Sequence, residues 1–226
     1  MIMGLQRNLI EQIEFLNCLS DVEKKHLADN SEIKVKGRYN YIYLADEPSS
    51  HLNILLKGTI KIGTHSNDGK EIIKTIIHPQ AMFGEMCIMG EKSRIDFAKS
   101  MAEGVEYFTA SKKIILDLMS SNKALSQSFM KNIGKRLTRA ETRLESLIFK
   151  DARSRIIDFL KDSVETRGRK VGFEMMFKHS LTQQDIANLT GTSRQTVTSV
   201  LNELKKDNLI YFTRKSILVR DMAKLA

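Results

Sequence analysis

A stripe of apolar residues from Met130 to Leu147 limits the fold more than any other feature of this sequence. Met130, Ile133, Leu137, Ala140, Leu144 and Leu147 follow one another at spacings of 3, 4, 3, 4 and 3. Lys131, Lys135, Arg136, Arg139, Glu141, Arg143 and Glu145 stand between them. A narrow seam recurring every 3.5 residues is what two supercoiled helices bury against each other. The segment is therefore expected to be a long helix that pairs with a second copy of itself, with those six residues as the dimer interface. The alternative is a helix packed on its own chain. Gly134, inside the seam, costs about 1 kcal/mol of helix propensity relative to Ala.

The pattern ahead of the seam is different. From Lys34 to about Phe108, short apolar runs are cut by turn signals: Leu52 to Leu56, Gly58, Ile60 to Ile62, Ser66-Asn67-Asp68-Gly69, then Ile72 to Ile77. Asp68-Gly69 between β-branched runs is a hairpin signal, because Gly tolerates the positive φ of tight hairpin turns. Several such strands at short spacing predict a small β-barrel or sandwich, most simply a jelly roll. In the first thirty residues, Leu9, Ile10, Ile13, Leu16 and Leu27 predict short helices packed on that barrel. Past Ser111 the period becomes helical. Asp151 to Val164 predicts an amphipathic helix with Ile156, Ile157, Phe159 and Leu160 near one face. Thr166-Arg167-Gly168-Arg169 reads as a loop and Val171 to Phe177 as a strand.

Composition narrows the function. The chain has 226 residues, of which 42% are hydrophobic, enough for two ordinary domains with real cores. Its longest apolar runs fall far short of the roughly 20 residues of a membrane span, so no membrane partner is expected. Met1 to Asn8 lacks the layout of a secretory signal, and the expected compartment is the cytoplasm. Cys18 and Cys87 are too few for a cysteine-built iron–sulfur cluster or a zinc finger, and no metal site is expected. The net charge of +9 is unevenly placed. Residues 1 to 130 hold 16 basic and 16 acidic side chains, whereas residues 131 to 226 hold 20 and 11. A neutral domain joined to a basic one suits a polyanion partner held by the second. No metal-binding His pair, nucleophile elbow or phosphate-cradling Gly-rich loop appears, so an enzyme is not expected.

The most specific segment is LTQQDIANLTGTSRQTVTSVLNELKKDNLI, residues 181 to 210. Thr182 can cap a first helix, with Asp185 in its acidic first turn. Ile186 and Leu189 supply an apolar face, Ala187 lets a second helix cross closely, Gly191 can take left-handed turn geometry, and Ser193 can cap a helix starting at Arg194. In that second helix Val197, Val200, Leu201 and Leu204 share the buried side, with Arg194, Gln195, Thr198 and Ser199 toward the other. Arg and Gln at the first turn of an exposed helix suit the major groove, because Arg fits guanine O6 and N7 and Gln fits adenine N6 and N7. Thr182, Thr192 and Ser193 can hold phosphates. Leu209 to Val219 reads as two β-runs around Thr213 to Ser216, a wing whose tip residues Arg214 and Lys215 would reach the DNA backbone. A basic domain that contacts protein in place of DNA, within a ligand-binding or signalling protein, is the alternative.

These residues resemble the Crp/Fnr family of bacterial regulators over nearly the whole chain. In the first half the resemblance rests on Gly58 in LLKGTIKI, on DGKEIIKTI and on Phe83-Gly84-Glu85; in the second it rests on SRQTV at 193 to 197. It implies an α+β chain in three parts. Residues 1–120 would form an N-terminal β-barrel or jelly roll of cyclic-nucleotide-binding type, 121–149 a long dimerisation helix, and 150–226 a C-terminal winged helix-turn-helix. It further implies a homodimer on an inverted repeat of double-stranded DNA, with RNA polymerase as a further partner. In members that bind cyclic AMP, a Gly-Glu pair takes the ribose and an Arg-Ser-Ala run about ten residues later takes the phosphate. Gly84-Glu85 matches the pair, but Asp96-Phe97-Ala98 matches the run and puts a carboxylate where the counter-charge belongs. Arg94 stands two residues upstream, where it is not expected to share the face of Asp96. Ala140 and Glu141 replace a hydroxyl pair that touches adenine. The expected effector pocket, Gly84, Glu85 and Arg94, is thus not expected to hold cyclic AMP. Haem, for which His26, His51, His65, His78 and His179 are available, is not expected either, and no cofactor is assigned.

Overall fold

A computed structural model describes residues 10–11, 13–67 and 69–225. Leu9, of the expected N-terminal helices, and Asp68, of the expected hairpin turn, lie outside them. After a short 3-10 turn at Glu14–Leu16, helix α1 (Asp21–Asp29) leads into six strands: β1 (Ser31–Lys36), β2 (Tyr41–Tyr43), β3 (His51–His65), β4 (Glu71–Ile77), β5 (Met82–Phe83) and β6 (Phe97–Ser111). The sheet runs β1-β6-β3-β4, with β2 also paired to β6 and β5 to β3. Helices α2 (Lys112–Ser121), α3 (Lys123–Phe149) and α4 (Ala152–Arg167) follow. The chain divides into two compact units, and the division falls after Thr138, inside α3. Among the described residues no helix is long and apolar enough to cross a membrane.

In the first unit the sheet buries both faces, which is why Leu52 to Leu56 reads as a nearly unbroken apolar run and not as an alternation. Leu52, Ile54, Phe108 and Ala110 join Ile10, Ile13, Leu16, Leu27, Leu118, Leu125 and Phe129 in one core, so the expected N-terminal helical segment does pack on the sheet. Their neighbours Leu55, Val105 and Tyr107 turn the other way, to Tyr43, Ile60, Ile77 and Phe83 in a second core. The expected break at Gly58 is not a break. β3 is one strand of 15 residues whose register against β6 shifts around Gly58, which takes φ +86°. A bend at a glycine lets one long strand serve two parts of the sheet.

Asn122 separates α2 from α3, its side chain accepting from the Leu125 N–H at 3.0 Å while its amide donates to Cys18 O at 3.2 Å. The long helix keeps the expected 3.5-residue seam, but the seam residues differ in surroundings. Met130, Leu137 and Leu144 are about 60% exposed, at 63, 60 and 59%. Ile133 is instead half-buried against the first core.

The second unit departs from the sequence reading in one stretch. Asp151 caps α4 by accepting from Ser154 N–H at 2.7 Å, but the helix continues through Thr166 and Arg167, which were expected to form a loop. The expected single strand at Val171 to Phe177 is a hairpin of β7 (Arg169–Val171) and β8 (Glu174–Lys178), turning at Gly172-Phe173. Helices α5 (Gln183–Thr190) and α6 (Arg194–Lys206) and strands β9 (Ile210–Phe212) and β10 (Ser216–Val219) complete the unit. Its sheet order is β7-β8-β10-β9.

Candidate nucleic-acid interface and barrel pocket

The turn between α5 and α6 is built by local chemistry at each residue. Thr182 and Asp185 form a reciprocal capping box: the Thr182 N–H donates to the Asp185 carboxylate at 2.8 Å, and the Asp185 N–H to the Thr182 hydroxyl at 3.1 Å. Gly191 ends α5 in the left-handed region, at φ +64°. A methyl group added there would lie 2.6 Å from Leu147 Cδ2, so this seam residue lies over the turn. Ser193 caps α6 through the Thr196 N–H at 3.0 Å. Val197, Val200, Leu201 and Leu204 are buried beneath it as expected, while Leu189 is only half-buried.

Sequence reasoning missed two residues that hold this geometry. Arg155 of α4 donates to Thr190 O at 2.8 Å and Gly191 O at 3.0 Å, occupying carbonyls that the end of α5 leaves unpaired. Charge-assisted bonds of this kind are worth about 1.5–3 kcal/mol each. A basic residue between Ser154 and Ile156 on an amphipathic helix carries no sequence sign of that role. Gln183, the first residue of α5, accepts from the Thr198 hydroxyl at 2.7 Å and ties the two helices together.

Arg194, Gln195 and Ser199 are exposed along α6, and Asn202, one turn further and outside the sequence reading, is exposed as well. Thr182 and Ser193 are exposed and Thr192 half-exposed. Thr198 differs from its expected neighbours: it is half-exposed, and its hydroxyl also lies 2.9 Å from Arg194 O. The wing turn is closed by Thr213, whose hydroxyl accepts from the N–H groups of Lys215 and Ser216 at 3.2 and 3.1 Å, leaving Arg214 and Lys215 exposed at the tip. The register of β10 on β8, Ser216 with Lys178, puts that tip at one end of the sheet.

The first unit holds a cleft of about 130 Å³ lined by Tyr43, Lys74, Gly84, Glu85, Glu91, Arg94, Asp96 and Arg136, among others. It brings together all three residues expected in an effector pocket. Arg94 and Asp96 both line it, contrary to the expectation that they face apart. Residues 94–96 precede β6 and are not in a strand, so strand alternation does not govern them. The Arg94 guanidinium is 4% exposed and donates to Gly84 O and His51 O, each at 2.7 Å, with the Tyr43 ring 4.4 Å away. Gly84 sits at φ +70°, and a side chain there would press on that guanidinium. Buried Glu85 pairs with Arg136 of α3, which also donates to Met82 O. Lys74 lies 3.4 Å from Asp96, whose carboxyl burial pushes up from the usual carboxylate range while Lys74 pulls it down. Burial raises the Tyr43 hydroxyl further, with Asp96 adding to it. The sequence reading placed Arg136 only between the seam residues and Lys74 only within DGKEIIKTI, and assigned neither to the pocket, since nothing in the sequence shows that α3 and β4 reach it. Among the described residues no group of three or more His, Cys, Asp or Glu is placed to hold a metal ion. Cys18 and Cys87 are free thiols, both raised by burial.

Comparison with known proteins matches a separate profile to each half of the chain. Residues 37–122 match the profile of the cyclic nucleotide-binding domain, and residues 154–226 that of the Crp-like helix-turn-helix domain. The chain is similar to the CRP-like cAMP-activated global transcriptional regulator of Mycobacterium tuberculosis, at 30% identity over 84% of each chain. It is also similar to the global nitrogen regulator of Synechocystis, at 25% identity over 84% of each. Among solved structures, FixK2 from Bradyrhizobium japonicum superposes with a TM-score of 0.76 at 19% identity, covering 86% of this chain and 95% of that one.

Proposed function

As the chain belongs to the Crp/Fnr family of DNA-binding transcription regulators, we propose that it acts as a cytoplasmic homodimer that reads an inverted repeat through α6 and meets RNA polymerase on the promoter. The observation that carries the DNA reading is the capped, clamped α6, which presents Arg194 and Gln195 in its first turn with Arg214 and Lys215 exposed on the wing. Arg194 and Gln195 read bases; Thr182, Thr192, Ser193, Arg214 and Lys215 hold phosphates. Familiar members of this family present Arg, Glu and a second Arg where this chain has Arg194, Gln195 and Ser199. The half-site is therefore richer in A·T pairs, and two half-sites lie about one helical turn apart, roughly 34–36 Å. Arg194→Ala should cost about 1–3 kcal/mol on the best site and relax one guanine preference, whereas Lys215→Ala should weaken all sites about equally and flatten the salt slope. Selection from a random DNA pool at fixed salt checks this. A selected site lacking an inverted repeat, or keeping its guanine preference in Arg194→Ala, overturns the assignment.

We further propose that cyclic AMP is not the effector, although the mycobacterial relative is described as cAMP-activated. Arg94 is committed to two carbonyls, and Lys74 and Arg136 are paired with Asp96 and Glu85, so each cation among the described residues of the cleft already has a partner. Binding would have to break these pairs, each removed partner leaving an uncompensated charge. Titration calorimetry should show no binding of cyclic AMP at micromolar concentrations. Micromolar or tighter binding means that Arg94 releases Gly84 and takes the phosphate.

A further inference from the structure

We infer that Thr198 reads the C5-methyl of a thymine with its own methyl group, and that Gln183 is the positioning residue that keeps it in that posture; this rests on α6 entering the major groove. Thr198 lies one helical turn after Arg194 on α6 and is half-exposed. Two acceptors flank its hydroxyl, Gln183 Oε1 at 2.7 Å and Arg194 O at 2.9 Å. A threonine hydroxyl has one proton, and here it is spent inside the protein. With the Gln183 amide turned the other way its nitrogen would donate to the hydroxyl, which would still give its proton to Arg194 O, so in either orientation the proton stays inside the protein. A bond back to the carbonyl four residues earlier is common for helical Thr. The bond from a residue 15 positions away on another helix is not, and it holds the rotamer from outside.

What Thr198 then has to offer a base edge is its methyl group, its hydroxyl no longer being able to donate. In the major groove the only apolar mark on a base pair is the thymine methyl. A helical turn rises about 5.4 Å and a base pair about 3.4 Å, which puts that thymine about one to two base pairs from the base Arg194 contacts. Arg194 and Gln195 read hydrogen-bonding patterns, and Thr198 adds a methyl contact beside them.

The test starts from the site that the wild-type protein selects. Each thymine of its half-site is replaced in turn by uracil, which removes only the methyl, and binding is measured at one salt concentration. One position should lose about 3- to 5-fold, the worth of one methyl removed from water. Thr198→Val, which keeps the methyl and lacks the hydroxyl, should retain that discrimination. Thr198→Ser, which does the opposite, should abolish it. Gln183→Met, with the clamp gone and the side-chain length kept, should blunt it while circular dichroism shows the fold intact. Discrimination that survives in Thr198→Ser, or disappears in Thr198→Val, assigns the reading to the hydroxyl and overturns the inference. So does a half-site in which no thymine is sensitive to uracil. Failure to select any site overturns the DNA-reading premise itself and is distinguished by that.

Discussion

Replacing both Leu137 and Leu144 by Asp should turn the proposed dimer into monomers. In the single chain, Met130, Leu137 and Leu144 form the half of the α3 seam left most exposed among the described residues, each about three-fifths exposed. The other half is partly occupied: Ile133 leans on the first core and Leu147 on Gly191. The row at seven-residue spacing is the barest part of the seam, with Ala140 and Leu147 also exposed beside it, and a second copy of α3 laid alongside would bury it. Two Asp per chain in that seam place four carboxylates in an apolar interface, at a cost of several kcal/mol. Since each 1.4 kcal/mol is about a tenfold change in dissociation constant, a dimer held at micromolar concentrations would dissociate completely. Sedimentation velocity should show a single monomeric species with an unchanged circular dichroism spectrum. A doubly substituted protein that still sediments as the wild-type dimer would put the interface on another surface. Affinity for a full inverted repeat should fall with the dimer, while the weaker binding to one half-site survives.

The other large effect is expected at Gly58. Its φ of +86° is in the left-handed region, and a methyl group there would lie 2.1 Å from the carbonyl oxygen of Gly104, itself at φ +70°. The obstacle is backbone on the facing strand, so no rotamer change relieves it. Gly69 provides the comparison: its φ is +77°, yet a methyl there would meet nothing within 4 Å. Gly69→Ala should cost about 1–2 kcal/mol from backbone strain alone. Gly58→Ala should cost more than about 4 kcal/mol, a large part of the 5–15 kcal/mol that holds an ordinary domain together. In thermal denaturation the Gly69 variant should shift by a few degrees, and the Gly58 variant should lose the cooperative transition of the first unit or fail to accumulate. Equal shifts for the two would mean that the strands separate freely at the Gly58–Gly104 crossing.

These two predictions also mark where sequence patterns speak clearly. The seam of α3, the capped helices at Thr182 and Ser193, and the wing at Thr213 to Ser216 were legible because each rests on local rules: a period, a cap, a turn. Gly58 was misread as a strand end because its role depends on Gly104, which the sequence does not connect to it. Thr166 and Arg167 were read as loop from the glycine that follows, yet the Gly168 N–H still donates to Val164 O at 2.7 Å and the helix runs up to it. The hairpin at Gly172-Phe173 was hidden because a three-residue strand such as β7 has too few residues for alternation to register. In the pocket, Gly84 and Glu85 were visible, while Arg136 and Lys74 arrive from α3 and β4. Arg155 and Gln183 were missed for the same reason, since each acts on a residue far along the chain.

The pairing of β1 with β6 has a consequence for the birth of the chain. Ile33 faces Phe108 across that ladder, and the core beneath it is completed only by Leu118, Leu125 and Phe129. At about 5–20 residues per second, roughly 5–20 s separate the synthesis of Ile33 from that of Phe129. For that interval β1 lacks its partner, and β3, although β4 and β5 can already pair with it, lacks β6, so Leu52 to Leu56 presents apolar side chains on both faces with one edge of its backbone open. In the second unit the longest strand pairing, Val219 with Met175, spans 44 residues, roughly 2–9 s at the same rate. The vulnerable stage of this regulator is therefore the nascent first half. Its yield in the cell should depend on what shields those strands while they wait, more than on how stable the finished protein is.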